Sequence, residues 1–294
     1  MRPRPFEYYE PFSLDEALSL LSKDEDAKIL AGGQSLITLM KLRLAAPASL
    51  IDINHITQLN YIREEAGNIT IGALTRHDQL ATNPLIRGRC MLLSDAASVI
   101  ADQQVRNRGS IGGSLAHADP SADLPTACTA LNAEIKATSK SGSRIVAVQD
   151  FFVDFFTTAL RPHEMIEEIR IPVPGPRSGG AYTKLTKGHN DFALVSAAAQ
   201  CSLGPEGACE AIDVVLGGVA SKPVHATETE GHLRQERIND QVIHEAALNA
   251  SAGLSPSPDP RTSSELKLEM IKSSTERALR VAFGRAREAV RNAQ

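Results

Sequence analysis

Two adjacent glycines set among small residues, Ala31-Gly32-Gly33-Gln34-Ser35-Leu36, constrain this chain more than any other stretch. They follow the apolar run Ile29-Leu30. Behind them Leu36, Leu39, Met40 and Leu44 recur at three- and four-residue spacing, the period of one helix face, with Ser35 or Gln34 placed to cap its start. The pattern predicts a strand-to-helix turn. Two missing β-carbons allow positive φ and close backbone approach, leaving N–H groups free to point out of the turn. Such a nest suits an anion, above all a phosphate. A second cluster of the same kind, Ser110-Ile111-Gly112-Gly113-Ser114, precedes Asp119-Pro120-Ser121-Ala122-Asp123-Leu124-Pro125. A Gly-Gly turn is also a plain chain connection, but two such turns suffice to hold a diphosphate from two sides.

The neighbouring sequence predicts a frame for the first turn. Ser13-Leu14-Asp15-Glu16-Ala17-Leu18 carries a capping serine and first-turn acids, a helix start. Lys28 to Ala31 reads as a short buried strand and Leu50 to Ile53 as a further strand, on either side of the glycine turn and its helix, which Pro47 stops or follows. That is a small β-α-β unit over roughly the first 55 residues, with the turn at the carboxyl end of its first strand, where open α/β sheets bind ligands. Strands at 59–63 and 68–73 joined at Ala66-Gly67-Asn68, helices at 76–80, 91–101 and 124–131, and a hairpin of 134–137 with 144–148 follow. The aromatic cluster 151–156 reads as core packing. After 165–171, the run Pro172-Val173-Pro174-Gly175-Pro176 marks a boundary. Beyond it come three strands (181–185, 193–203, 211–219), a largely helical stretch at 222–251, and a last helix over about 264–291 with Leu268, Ile271, Leu279 and Ala282 near one face.

Composition narrows the function classes. A net charge of -4 gives no polybasic signature for nucleic acid or an anionic membrane. No apolar run approaches the roughly 20 residues of a membrane-spanning helix, and the Arg-Pro-Arg-Pro start lacks a signal-peptide core, so a cytoplasmic location is expected. Cys90, Cys128, Cys201 and Cys209 form no C-x-x-C pair and read as buried free thiols. The histidines form no H-x-x-H or H-x-x-x-H pair, and no metal ligands are expected on this chain. No triad or carboxylate pair stands out, so no catalytic residue is assigned. The G-x-G-x-x-G and G-x-x-x-x-G-K-[ST] fingerprints are absent, against a Rossmann NAD site and a P-loop hydrolase.

Ala31 to Leu36 with its continuation to Arg43, Thr70-Ile71-Gly72-Ala73-Leu74-Thr75, Val105 to Pro125, Tyr182-Thr183-Lys184 and Asp191-Phe192-Ala193-Leu194-Val195 together resemble the FAD-binding medium subunit of the molybdenum hydroxylases. This is the flavoprotein group of carbon monoxide dehydrogenase and xanthine dehydrogenase, and the resemblance covers nearly the whole chain. It implies an α+β fold. The expected FAD-binding domain, at 1–175, is of the p-cresol methylhydroxylase/vanillyl alcohol oxidase type, with subdomains at about 1–56 and 57–175. A C-terminal antiparallel sheet with helices, at 176–294, completes the expected fold.

The cofactor positions implied are Ala31, Gly32, Gly33, Gln34, Ser35 and Leu36 in the first turn, and Ser110, Ile111, Gly112, Gly113 and Ser114 in the second. Asp123 matches an acidic residue that bonds the cofactor's hydroxyl-bearing chain. Ile166 and Lys184 match positions at the adenine or isoalloxazine ends. Two departures are visible: Ser110 stands where threonine is common, and Lys187-Gly188-His189-Asn190 stands where the family often has an arginine. Asp119, His117 and His189 read as loop-stabilising side chains.

The function implied is electron transfer. A large molybdenum-cofactor subunit oxidises substrate, 2Fe-2S clusters of a small subunit relay electrons to FAD on this chain, and an external acceptor takes them. A dimer of heterotrimers is the implied assembly. The alternatives are a self-sufficient flavin oxidoreductase and a non-catalytic nucleotide-binding or assembly module. Valine at Gly33 or Gly112 is expected to abolish flavin retention while leaving a folded chain.

Overall fold

The computed structural model describes residues 2–204 and 206–292. Near the amino terminus three parallel strands form a sheet in the order Glu7–Tyr9, Ser49–Asp52, Lys28–Leu30. The expected β-α-β unit is therefore present, with an additional edge strand, Glu7–Tyr9. Helix Leu14–Leu21 begins where Ser13 Oγ accepts the Glu16 N–H at 3.2 Å, while Glu16 returns a carboxylate oxygen to the Phe12 N–H at 2.9 Å. This reciprocal cap fixes the register that buries Ala17, Leu18 and Leu21.

The second sheet is antiparallel, in the order Ile62–Glu65, Asn68–Gly72, Met165–Pro172, Glu134–Ser139, Gly142–Ala147. Its first hairpin turns on Ala66 and Gly67, with φ of 49° and 78°, the pair of positive angles a tight two-residue loop requires. Met165–Pro172, remote in sequence, lies at the centre and joins the two hairpins. Helices Pro84–Arg89 and Ile111–His117 touch this sheet, while Met91–Ser98 and Asp123–Ala130 lie against strands 178–185, 195–203 and 209–217, and Ile69, Ile71, Leu92, Leu93, Leu124, Ile135 and Ile169 make one buried core.

The third sheet runs Ser178–Leu185, Val195–Leu203, Cys209–Gly217, Val224–His225, all antiparallel. Helix Ser264–Asn292 covers it. The helix comes so close that a β-carbon at Gly179 would fall inside the Ala282 carbonyl, and alanines at 197, 198 and 199 keep the strand thin. The expected central strand is central, and its neighbours are as expected. The helical stretch expected at 222–251 is instead a short strand, then helices Thr227–Leu233 and Asp240–Leu248, because Asn239 starts a new cap on the N–H groups of Gln241 and Val242.

One packing expectation is corrected. Phe151 and Phe152 are buried, edge to face at 5.2 Å, but Phe155 and Phe156 are each 57% exposed. They form the tip of the hairpin Phe152–Asp154 with Thr157–Thr158, where strand alternation and a positive φ at Phe156 carry both rings away from the core. All four cysteines are buried free thiols, as expected.

Candidate functional site

The first turn begins where strand Lys28–Leu30 ends. Gly33 takes φ of 73°, and helix Leu36–Lys41 starts three residues later. The expected cap is absent: Ser35 lies in the helical region and its hydroxyl makes no cap bond, while Gln34 Nε2 bonds the Gly32 carbonyl at 3.3 Å. Among the described residues, the N–H groups of Gly32, Gly33, Gln34, Ser35 and Leu36 meet no acceptor. Five consecutive donors are thus free at one bend, the chemistry an oxyanion needs.

The second turn has the same sequence signature and a different state. Ser110 caps helix Ile111–His117, its Oγ accepting the Gly113 N–H at 3.3 Å. Ile111 N–H donates to the Thr75 carbonyl at 3.0 Å, Gly112 N–H to Ala73 at 2.9 Å, and Ser114 N–H to Ser110 at 3.0 Å. The amides from Ile111 to Ser114 are therefore engaged. What this turn offers instead is space. Gly113 is exposed, and a β-carbon there would sit 4.0 Å from the Ala31 methyl, so the two turns face each other.

The two glycine pairs divide their roles. Gly33 supplies the positive φ. Gly32 has no room for a side chain because a β-carbon there would strike the Arg108 carbonyl and the Gly109 α-carbon. At Gly112 a β-carbon would lie 2.6 Å from the Ala73 methyl and 2.8 Å from its carbonyl oxygen. Close approach between chain segments, and not to a ligand, fixes Gly32 and Gly112.

Asp123 and Lys184, far apart in sequence, form a buried ion pair at 3.0 Å, their side chains 4% and 6% exposed. Lys184 Nζ also donates to the Val99 carbonyl at 3.1 Å, and the Tyr182 hydroxyl donates to Asp123 Oδ1 at 2.8 Å. Burial pushes the Asp123 carboxyl up, against the pull of the Lys184 ammonium; the same burial, beside a carboxylate, pushes the Tyr182 phenol well up. Ile166 is buried in the second sheet's core. These three positions are buried, without the open donors of Gly32 to Leu36. Asp119 accepts the Ser121 N–H at 2.9 Å, a loop-stabilising bond as expected, whereas His117 rests on the Phe156 ring at 5.2 Å.

Sequence reasoning missed Asn54 and Arg76, which link the turns. Arg76 follows the quoted Thr70 to Thr75 stretch, but no periodicity or motif points to it. Elsewhere, Asp213, His225 and Glu230 bring potential metal-ligand atoms within 4.8 Å of one another. Those atoms are hydrogen-bonded already: Glu230 Oε1 takes the Val214 N–H and His225 Nδ1, and Asp213 takes Asn132. Among the described residues no helix is long and apolar enough to cross a membrane.

Residues 4–174 match the model of the FAD binding domain in molybdopterin dehydrogenase, and residues 180–282 that of the CO dehydrogenase flavoprotein C-terminal domain. The 6-hydroxypseudooxynicotine dehydrogenase complex subunit alpha of Paenarthrobacter nicotinovorans is 38% identical, over 98% of this chain and 97% of its own length. The glyceraldehyde dehydrogenase medium chain of Sulfolobus acidocaldarius is 38% identical over 95% of this chain and 99% of its own. A solved carbon monoxide dehydrogenase from Hydrogenophaga pseudoflava, in a form lacking the Mo-pyranopterin moiety of its molybdenum cofactor, superposes with a TM-score of 0.93 at 38% identity, covering 97% of this chain and 99% of that one. Matches of this extent and order leave one conclusion: the chain belongs to the FAD-binding medium subunits of the molybdenum hydroxylases, as the flavoprotein component of a dehydrogenase.

Proposed function

We propose that this chain is the electron-transfer subunit of a heterotrimeric molybdenum hydroxylase. In this reading it takes electrons from 2Fe-2S clusters on a small subunit, fed by a large molybdenum-cofactor subunit, and passes them to an external acceptor. The observation that carries it is the row of five free N–H groups from Gly32 to Leu36, in a turn whose Ala31 methyl neighbours the exposed Gly113. A diphosphate needs such donors, and a family whose domain binds FAD supplies the diphosphate.

The first turn, Ala31 to Leu36, holds the FAD diphosphate through its amides, and the free Ser35 hydroxyl adds a donor. Gly113 and Ser114 close the opposite side, while Ser110, Ile111 and Gly112 anchor them. Asp123 and Lys184, clamped by Tyr182 and Val99, form the polar wall behind the site, and Ile166 forms its apolar wall. FAD, when bound, supplies the ability to take up and release electrons. The residues of this chain orient it and exclude water, and no general acid or base is required of them. The same reading divides the chain into an FAD-binding domain at 1–175, with parts at about 1–56 and 57–175, and a C-terminal domain at 176–294. A dimer of such heterotrimers is the proposed assembly.

The test is to purify the full-length chain gently from its native host together with whatever accompanies it. Flavin released by denaturation should be FAD, equimolar with this chain, and two further chains carrying iron and molybdenum should accompany it. A flavin-free chain that does not take up added FAD, or iron bound to this chain itself, contradicts the proposal.

A further inference from the structure

The first glycine turn follows a strand of the parallel sheet and the second lies between helices Gln103–Arg108 and Ile111–His117, so something must hold them at a fixed separation. Direct contact does part of this, at Gly32 against Arg108 and Gly109. The rest passes through two side chains. Asn54 Nδ2 donates to the Ala31 carbonyl at 2.8 Å, at the entrance of the first turn. Asn54 Oδ1 accepts from Arg76 Nη2 at 2.6 Å, and Arg76 Nη1 donates to the Arg108 carbonyl at 2.8 Å, two residues before Ser110. One guanidinium and one amide thus join the first turn to the second across four chain-distant segments.

Both residues are themselves fixed. The Asn54 N–H donates to Asp52 Oδ1 at 2.9 Å, and the other Asp52 oxygen accepts the Tyr8 hydroxyl at 2.7 Å. The Arg76 N–H donates to Gln79 Oε1 at 2.8 Å, at the start of helix His77–Thr82. The neighbouring backbone closes the arrangement, with His77 N–H donating to Gly109 and Ile111 N–H to Thr75, each at 3.0 Å. A planar fork suits Arg76 to this bridging role, because its two terminal nitrogens reach different acceptors at fixed divergence. A lysine ammonium keeps the charge without the fork.

We propose that Asn54 and Arg76 are positioning residues for the flavin: they set the gap between the two glycine turns and thereby the affinity for FAD. The inference rests on the reading of those turns as the diphosphate site. It requires that loosening the link leave the surrounding elements folded, in keeping with the half-buried positions of Asn54 and Arg76. The loss should then fall on ligand affinity, because a site held open at the wrong width must be ordered again at each binding event.

The experiment is FAD titration of the full-length, flavin-stripped chain, read by flavin fluorescence, beside the melting temperature of the stripped protein. Arg76→Met and Asn54→Asp should each raise the dissociation constant about tenfold. Neither should move the melting temperature of the stripped chain by more than about 4 °C. Arg76→Lys should recover part of the affinity, and the double variant should bind about as weakly as the worse single one, since both interrupt the same link. Wild-type affinity in Arg76→Met overturns the proposal, as does a loss accounted for wholly by unfolded protein. Should Arg76→Met fail to fold, Asn54→Asp decides on the same terms. Gly33→Val separates the two levels: if it too binds FAD like the wild type, the reading of the turn fails. Loss there beside unchanged Arg76→Met removes only the positioning role.

Discussion

The amides from Gly32 to Leu36 meet no acceptor among the described residues, whereas those from Ile111 to Ser114 are taken up by Thr75, Ala73 and Ser110. Both stretches read small-Gly-Gly in sequence. In the first, one glycine supplies a positive φ and the following residues leave donors open. In the second, Ser110 closes the cap and Gly112 lets a helix start press against the end of a strand. The same motif thus leaves donors open at one place and permits close packing at the other. On the proposed reading the diphosphate is held asymmetrically, by hydrogen bonds from one side and by shape from the other.

The largest effect that separates the two turns should come from Gly112→Val. Its β-carbon would strike Ala73, and overpacking of that kind at a buried helix start costs about 3 kcal/mol or more. Urea denaturation should therefore show a much weakened or unfolded chain. This revises the expectation that valine at Gly112 leaves the fold intact.

Next in size is an acid effect confined to the second turn. The His77 ring packs on Gly109 with Nδ1 buried and unpartnered, and burial, aided by Arg76 and Arg106, pushes its pKa down to about 4. Between that value and the ordinary 6.5 the unfolded chain holds a proton that the folded chain lacks. The stabilisation is complete above pH 6.5 and is lost as pH falls toward 4, about 3 kcal/mol in all. Stability measured across this range should rise with pH in the wild type and lose most of that slope in His77→Gln. An unchanged slope in the variant would show that His77 is not the group responsible.

Gly33→Val should divide its effects the other way. A β-branched residue at φ of 73° costs about 1–2 kcal/mol of stability, tolerable for a chain of this size, while redirected amides should weaken FAD by about a hundredfold. Smallest is Gly113→Ala. The added methyl meets Ser110 Oγ at 3.0 Å and the Ala31 methyl at 4.0 Å, so stability should change by less than about 1 kcal/mol. FAD affinity should fall by several-fold if shape on this side matters, and equal affinity would leave the first turn acting alone.

Much of this was legible in the sequence because it is local. Strand, turn and helix around Gly33 follow from apolar spacing and from the glycine itself, and the last helix follows from its own periodicity. The strand Glu7–Tyr9 was not legible: its three residues are all exposed, and only parallel pairing with Ser49–Asp52 makes them a strand. Phe155 and Phe156 misled for the converse reason, since hydrophobicity predicts burial while a two-residue hairpin tip has no core to enter. The engaged amides of the second turn depend on Ala73 and Thr75, some 40 residues away, and the link through Asn54 and Arg76 joins four separated segments. Asp123 and Lys184 came from family resemblance, and their mutual pairing is visible only in three dimensions.

Amide hydrogen exchange on the full-length chain, stripped of flavin and then reloaded with FAD, examines the asymmetry residue by residue. The expected result is strong slowing at Gly32 to Leu36 on loading, with Ile111 to Ser114 already slow in the stripped protein and little changed. Exchange at Gly32 to Leu36 that stays equally fast with FAD bound would contradict the assignment of those amides to the diphosphate.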